Sequence, residues 1–165
     1  MTIQELIDTL EQQSGLYREL LELAAAKTPV LVKGDVNALS ALLMKERKLA
    51  KQIEELEVRR QTLVNIHFSR LQLRLRSGKL SDLIRTVNQP EEKQRLAELQ
   101  KELTQLLEDV RSRNEHNLAL TKQSLEFIEF SLELTSEAPY DDYTYTHPQL
   151  SPAGHAKAGM FDRKG

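Results

Sequence analysis

The chain reads as all-α: an antiparallel bundle of three long helices with coiled-coil-like seams, a short crossover helix and an irregular C-terminal tail. Three observations predict this. Apolar residues recur at three- and four-residue spacing through most of the 165 residues, the period of a helix face. The composition, 29% charged and 5% aromatic with no Trp, suits long helices rather than sheets. Gly and Pro are sparse, 5 in the first 136 residues against 6 in the last 29, so the breaks in the pattern are few and legible. The predicted helices span residues 2–33, 35–76 and 90–136, forming one domain over 1–136 with a tail at 137–165.

In the first helix, Thr2-Ile3-Gln4-Glu5 has the spacing of a capping box. Ile3, Leu6, Ile7, Leu10, Tyr17, Leu20, Leu21 and Ala24 then share a face, interrupted by Gln13 and Ser14 where the seam turns polar. Pro29 cannot donate to the Ala25 carbonyl, which predicts a kink or restart at Thr28-Pro29. Gly34 suits the left-handed residue that closes a helix, and Asp35 the cap that opens the next. The second helix should bury Val36, Leu39, Leu42, Leu43, Leu49, Ile53, Leu56, Leu63 and Ile66 against the first. Its mixed charges from Lys45 to Arg60 are spaced for exposed same-face pairs such as Glu55 with Arg59.

Ser77-Gly78 breaks that helix. Ser81 then caps a short crossover through Leu83, Ile84 and Val87, which Asn88-Gln89-Pro90 ends. Pro90 at a first helical position, followed by Glu91 and Glu92 at the positive end of the helix dipole, starts the longest helix. Leu96, Leu99, Leu103, Leu106, Leu107, Val110, Leu125, Ile128 and Leu132 form its stripe toward the bundle. Arg113, Asn117 and Ser124 replace apolar residues along that seam; such polar positions fix register or mark where a bundle thins. In its last turns a second stripe of Phe127, Phe130 and Leu134 appears on the opposite side, which upstream is polar. One buried face does not need a second, so a partner chain or the chain's own tail should cover it.

A net charge of −2 argues against a general nucleic-acid binder, and the absence of Cys removes disulfides and thiolate metal sites. The start of the chain, with Glu5 and Asp8, lacks the basic-then-apolar layout of a secretory signal. No apolar run is long enough to insert stably in a membrane. The expected setting is the cytoplasm. No phosphate loop, His-Glu-x-x-His or Gly-x-Ser-x-Gly is present, and His67, His116, His147 and His155 show no ligand spacing. The chain is therefore read as a non-enzyme that uses no cofactor or metal.

Two clusters remain as interaction candidates. Arg70, Arg74, Arg76, Lys79 and Arg85 face only Asp82 in charge; they are either a solvated helix end or a basic patch for an acidic protein surface. In the tail, Tyr140, Tyr143 and Tyr145, with Leu150, Met160 and Phe161, either anchor a partner or fold back onto Phe127 and Phe130.

With these residues in view the chain resembles the FlgN-type chaperones of flagellar export. The resemblance rests on Leu31-Val32-Lys33-Gly34-Asp35-Val36-Asn37-Ala38-Leu39, on Glu54-Glu55-Leu56-Glu57-Val58-Arg59-Arg60, on Asn114-Glu115-His116-Asn117-Leu118, and on Ser124-Leu125-Glu126-Phe127-Ile128. It covers residues 1 to about 136 in order. The tail departs from it at Tyr145-Thr146-His147-Pro148. The resemblance implies a cytoplasmic, non-enzymatic chaperone for the hook-associated proteins that join hook to filament. Such a chaperone binds their disordered C-terminal segments, prevents early assembly and delivers them to the type III export gate or its ATPase complex.

The residue pattern supplies a docking mode of its own, a client segment folding as an amphipathic helix on an apolar stripe. Leu120, Phe127, Phe130 and Leu134 are the expected client surface, with Ile128 and Leu132 facing the bundle. Tyr140, Tyr143 and Tyr145 are the expected contacts for the export gate. The competing reading is a coiled-coil stalk or adaptor whose second stripe is a seam between copies, as in a homodimer.

Overall fold

The computed structural model describes residues 2–71 and 79–146, with 137–146 as backbone. Four helices account for nearly all of them: α1 (Thr2–Lys33), α2 (Val36–Arg70), α3 (Leu80–Thr86) and α4 (Pro90–Thr146). No strand occurs among the described residues. Residues 1–121 form one compact unit and a second begins at Lys122.

The turn between α1 and α2 follows from Gly34 and Asp35. Gly34 adopts φ 70°, and its N–H bonds the Val30 carbonyl at 3.0 Å. The following Asp35 carboxylate accepts the Ala38 N–H at 3.1 Å, capping α2. A left-handed residue costs an L side chain roughly 1–2 kcal/mol, which glycine avoids. Pro29 neither breaks nor restarts α1, which is continuous through Lys33. It removes one bond from a helix already nucleated, where each further residue adds its own.

Three other local expectations are corrected. Thr2 Oγ1 accepts a hydrogen bond from Arg70 Nη1 at 2.6 Å, so it ties α1 to the end of α2. The second helix stops at Arg70 rather than 76, with the Leu71 N–H bonded to the His67 carbonyl. Phe68, in its last turn, shares one cluster with Leu83, Ile84 and Val87 of the α3 region. The cap of α3 is Lys79, not Ser81, which lies inside the helix; the Thr86 hydroxyl donates to the Leu83 carbonyl at 2.7 Å and accepts from His67 Nε2 at 2.8 Å. The Ser77-Gly78 break lies outside the described residues.

All four helical segments meet in one apolar cluster. It comprises Leu6, Ile7 and Leu10 of α1, Leu63, Val64 and Phe68 of α2, Leu83, Ile84 and Val87 of the α3 region, and Leu96, Leu99 and Leu103 of α4. Burying each such side chain contributes on the order of 1.5–3 kcal/mol. Cross-helix bonds fix the register around it. From α1 to α2 they join Thr2 to Arg70, Gln13 to Glu57 and Lys27 to Glu46, in opposite sequence order. From α1 to α4 they join Glu11 to Arg95, Ser14 to Glu102 and Thr28 to Asn117, in the same order.

Asn117, 3% exposed, is the best-defined of these pins. Its Nδ2 donates to the Ala24 carbonyl at 2.8 Å, and its Oδ1 accepts from Thr28 Oγ1 at 2.7 Å. Of the three polar residues on the α4 seam it alone is buried; Arg113 and Ser124 are exposed.

The expected end of the last helix is also revised. α4 runs through Pro139 to Thr146, so the tail from Glu137 begins as helix. Pro139 deletes the bond to the Thr135 carbonyl, and the turns on either side keep theirs. The remaining tail, with Leu150, Met160 and Phe161, lies outside the described residues.

Two substitutions test this frame. Gly34→Ala should lower stability by about 1 kcal/mol in urea unfolding, through strain at positive φ. Asn117→Ala should cost about 2 kcal/mol by removing two cross-helix bonds. Its combination with Thr28→Val should fall short of the sum of the two single losses, and strict additivity would show that the pair is not coupled.

The exposed apolar end of α4 as candidate functional site

Residues 122–136 of α4 are exposed at every position except the half-buried Ser131. Phe127 is 71% and Phe130 57% exposed, and Leu134 is similarly open. The main stripe behaves the same way in these turns: Leu125, Ile128 at 51% and Leu132 at 64% are exposed. The expectation that Ile128 and Leu132 face the bundle is therefore corrected. A stripe is buried only where another helix supplies an opposing face, and α1 finds its α4 bonding partners between Arg95 and Asn117. Leu107, at 47%, is also more open than its stripe position predicted.

Leu120, the other expected client residue, belongs to the first unit and is half-buried. The backbone of the exposed segment is well satisfied and its hydroxyls turn inward. Ser131 Oγ donates to the Phe127 carbonyl at 2.8 Å, Thr135 Oγ1 to the Ser131 carbonyl at 2.8 Å and Ser136 Oγ to the Glu133 carbonyl at 3.0 Å. These side chains leave apolar rings and Glu carboxylates as the outward chemistry. Tyr140, Tyr143 and Tyr145 fall within the helical span of α4 rather than in an irregular tail.

The basic cluster is divided. Arg70 is engaged with Thr2, while Lys79 and Arg85 are exposed at the two ends of α3. Arg74 and Arg76 lie outside the described residues.

Sequence reasoning missed a polar cluster within the first unit. A cleft of about 320 Å³ is lined by Leu10, Gln13, Tyr17, Glu57, Arg60, Leu80, Gln100, Leu103, Thr104 and Leu107. Only the buried polar pair Gln13-Ser14 in the α1 seam signalled it. Glu57 Oε2 accepts from Arg60 Nε at 2.8 Å and from Gln13 Nε2 at 3.1 Å. The bond from Arg60 holds the Glu57 carboxyl below its ordinary range, outweighing the opposing effect of burial. Burial raises the Tyr17 hydroxyl, and the Glu57 charge adds to the rise. Glu57 is thus held charged and Tyr17 protonated, each further from titrating near neutral pH, opposite to what proton transfer requires. On a neighbouring seam Glu102 takes the Ser14 hydroxyl at 2.8 Å and pairs with Arg18.

Other chemistry finds no support among the described residues. No three His, Cys, Asp or Glu side chains are placed to hold a metal. His67 is bonded to Thr86, with burial pushing its pKa down and the Arg70 charge acting the same way. No helix is long and apolar enough to cross a membrane.

Among the described residues the frame is all-helical, and its outstanding feature is the uncovered apolar end of α4. The sequence matches the family model described as FlgN protein over residues 1–151, and the chain belongs to the FlgN family of flagellar export chaperones. It is 28% identical over 134 residues, 81% of each chain, to the uncharacterized protein YvyG of Bacillus subtilis (strain 168). No solved structure matches it.

The Glu57 network carries a pH signature. A carboxyl whose folded pKa is lowered contributes stability above its unfolded pKa and loses it as pH falls through the folded value. Glu57→Gln should therefore cost roughly 0.5 kcal/mol at neutral pH, a small effect because half the side chain meets water. The gap between parent and variant in urea midpoint should close below the ordinary Glu range; a gap constant across that range would show that the charge contributes nothing.

Proposed function

We propose that this chain is a cytoplasmic export chaperone that binds the disordered C-terminal segments of hook-associated proteins, prevents their early assembly and brings them to the flagellar type III export gate. Membership of the FlgN family supports the class. The single observation that carries the binding mode is the uncovered apolar surface of α4 at Leu125, Phe127, Ile128, Phe130, Leu132 and Leu134. A disordered segment that folds as an amphipathic helix would cover one stripe and offset its ordering entropy by apolar burial. The order of the cross-helix bonds supports α1, α2 and the first part of α4 as an antiparallel three-helix bundle closed by α3. Tyr140, Tyr143 and Tyr145 are assigned to the export-gate contact.

The same exposed stripes favour one other reading, a self-associating stalk or adaptor. Light scattering separates the two. A chaperone stays small alone and forms a stoichiometric complex with a client C-terminal peptide, whereas a stalk associates alone and ignores the peptide.

Phe127→Asp and Phe130→Asp should leave unfolding nearly unchanged, because both rings are already in water. Each should weaken a client C-terminal peptide by well over about 1 kcal/mol in titration calorimetry if it anchors the interface. Unchanged affinity in both would reject this surface.

A further inference from the structure

From Glu126 onward, one turn past Lys122 on the same edge, the exposed end of α4 carries charge of one sign along that edge. Glu126, Glu129 and Glu133 recur at three- and four-residue spacing, so they form one row, and all three are exposed. Lys122 is the one basic residue in 122–136. Helix geometry sets this row beside both apolar stripes. Glu129 follows Leu125 by four residues and precedes Leu132 by three, while Glu126 precedes Phe130 by four and Glu133 follows it by three. On the far edge Ser131 is turned to the Phe127 carbonyl, so that edge bears no charge.

A chain that covers either stripe excludes water from the glutamates next to it. Carboxylates that lose solvent without gaining cations oppose binding, and like charges across the contact oppose it further. A second copy of this segment brings only Lys122 against three glutamates and cannot neutralise them. The occupant with complementary charge is a partner helix with basic residues beside its apolar stripe.

We propose, on the reading that this surface receives a client segment, that it selects amphipathic helices whose apolar stripe is edged by Lys or Arg, with the Glu126–Glu129–Glu133 row discriminating against acidic edges. The partner is thereby defined by charge pattern as well as by hydrophobicity.

Two synthetic peptides of about five helical turns test this. They share one Leu stripe and differ in carrying Lys or Glu along its edge. Calorimetry against the full chain at about 0.05 M salt should show the Lys-edged peptide binding about tenfold tighter, and about 0.5 M salt should erase the difference. The variant Glu126→Gln/Glu129→Gln/Glu133→Gln should lose the preference, while Glu54→Gln/Glu91→Gln/Glu108→Gln, which removes equal charge from other exposed positions, should keep it. Circular dichroism confirms that the variants remain helical. Equal binding of both peptides, or a preference surviving in the triple row variant, would overturn the charge rule. If that equal binding is abolished by Phe127→Asp, the client reading stands without the rule. If neither peptide binds and the chain self-associates in light scattering, both fall together.

Discussion

One apolar cluster holds the first unit together, because it is where all four helical segments contribute side chains that exclude water at once. Leu6, Leu10, Val64, Leu83, Leu96 and Leu99 are almost wholly enclosed. The short α3 segment alone supplies Leu83, Ile84 and Val87 to it. A helix as short as α3 has little stability of its own. It persists because its apolar side chains complete the floor of the cluster, and the His67 to Thr86 bond fastens it to α2. The crossover is therefore a core element rather than a connector.

Away from that cluster the seams become polar, and register passes from apolar packing to directed bonds. Gln13, Ser14 and Asn117 are buried, and each reaches another helix. No buried side-chain nitrogen or oxygen among the described residues lacks a partner. Such bonds add modest net stability, but a slipped register would leave buried polar groups unpaired, at greater cost than the bonds contribute. The polar pins thus select one alignment among the several that leucine seams alone would allow.

The proposed client surface lies where this system of packing and pins ends. Beyond Thr121 the helix keeps its apolar stripes, and among the described residues no side chains bury them, so rings and aliphatic groups are exposed. Within a monomeric protein a continuous apolar patch is unusual and marks an interaction site. Charge then narrows what such a patch accepts, since the Glu126 row lies against both stripes and admits a cationic edge more readily than an anionic one.

Periodicity along the chain by itself determined the helical class, the Gly34-Asp35 turn, the start of α4 at Pro90 and the presence of two stripes in its last turns. Each of these follows from local physical chemistry: the period of a helix, the φ of glycine, the missing N–H of proline. Tertiary structure decided which stripe residues are covered, and it left Ile128 and Leu132 open where the pattern alone placed them inward. It also set Gln13 of α1 against Glu57 of α2. Burial and pairing are properties of what stands opposite a residue, and a linear pattern records only the residue's own side of that contact.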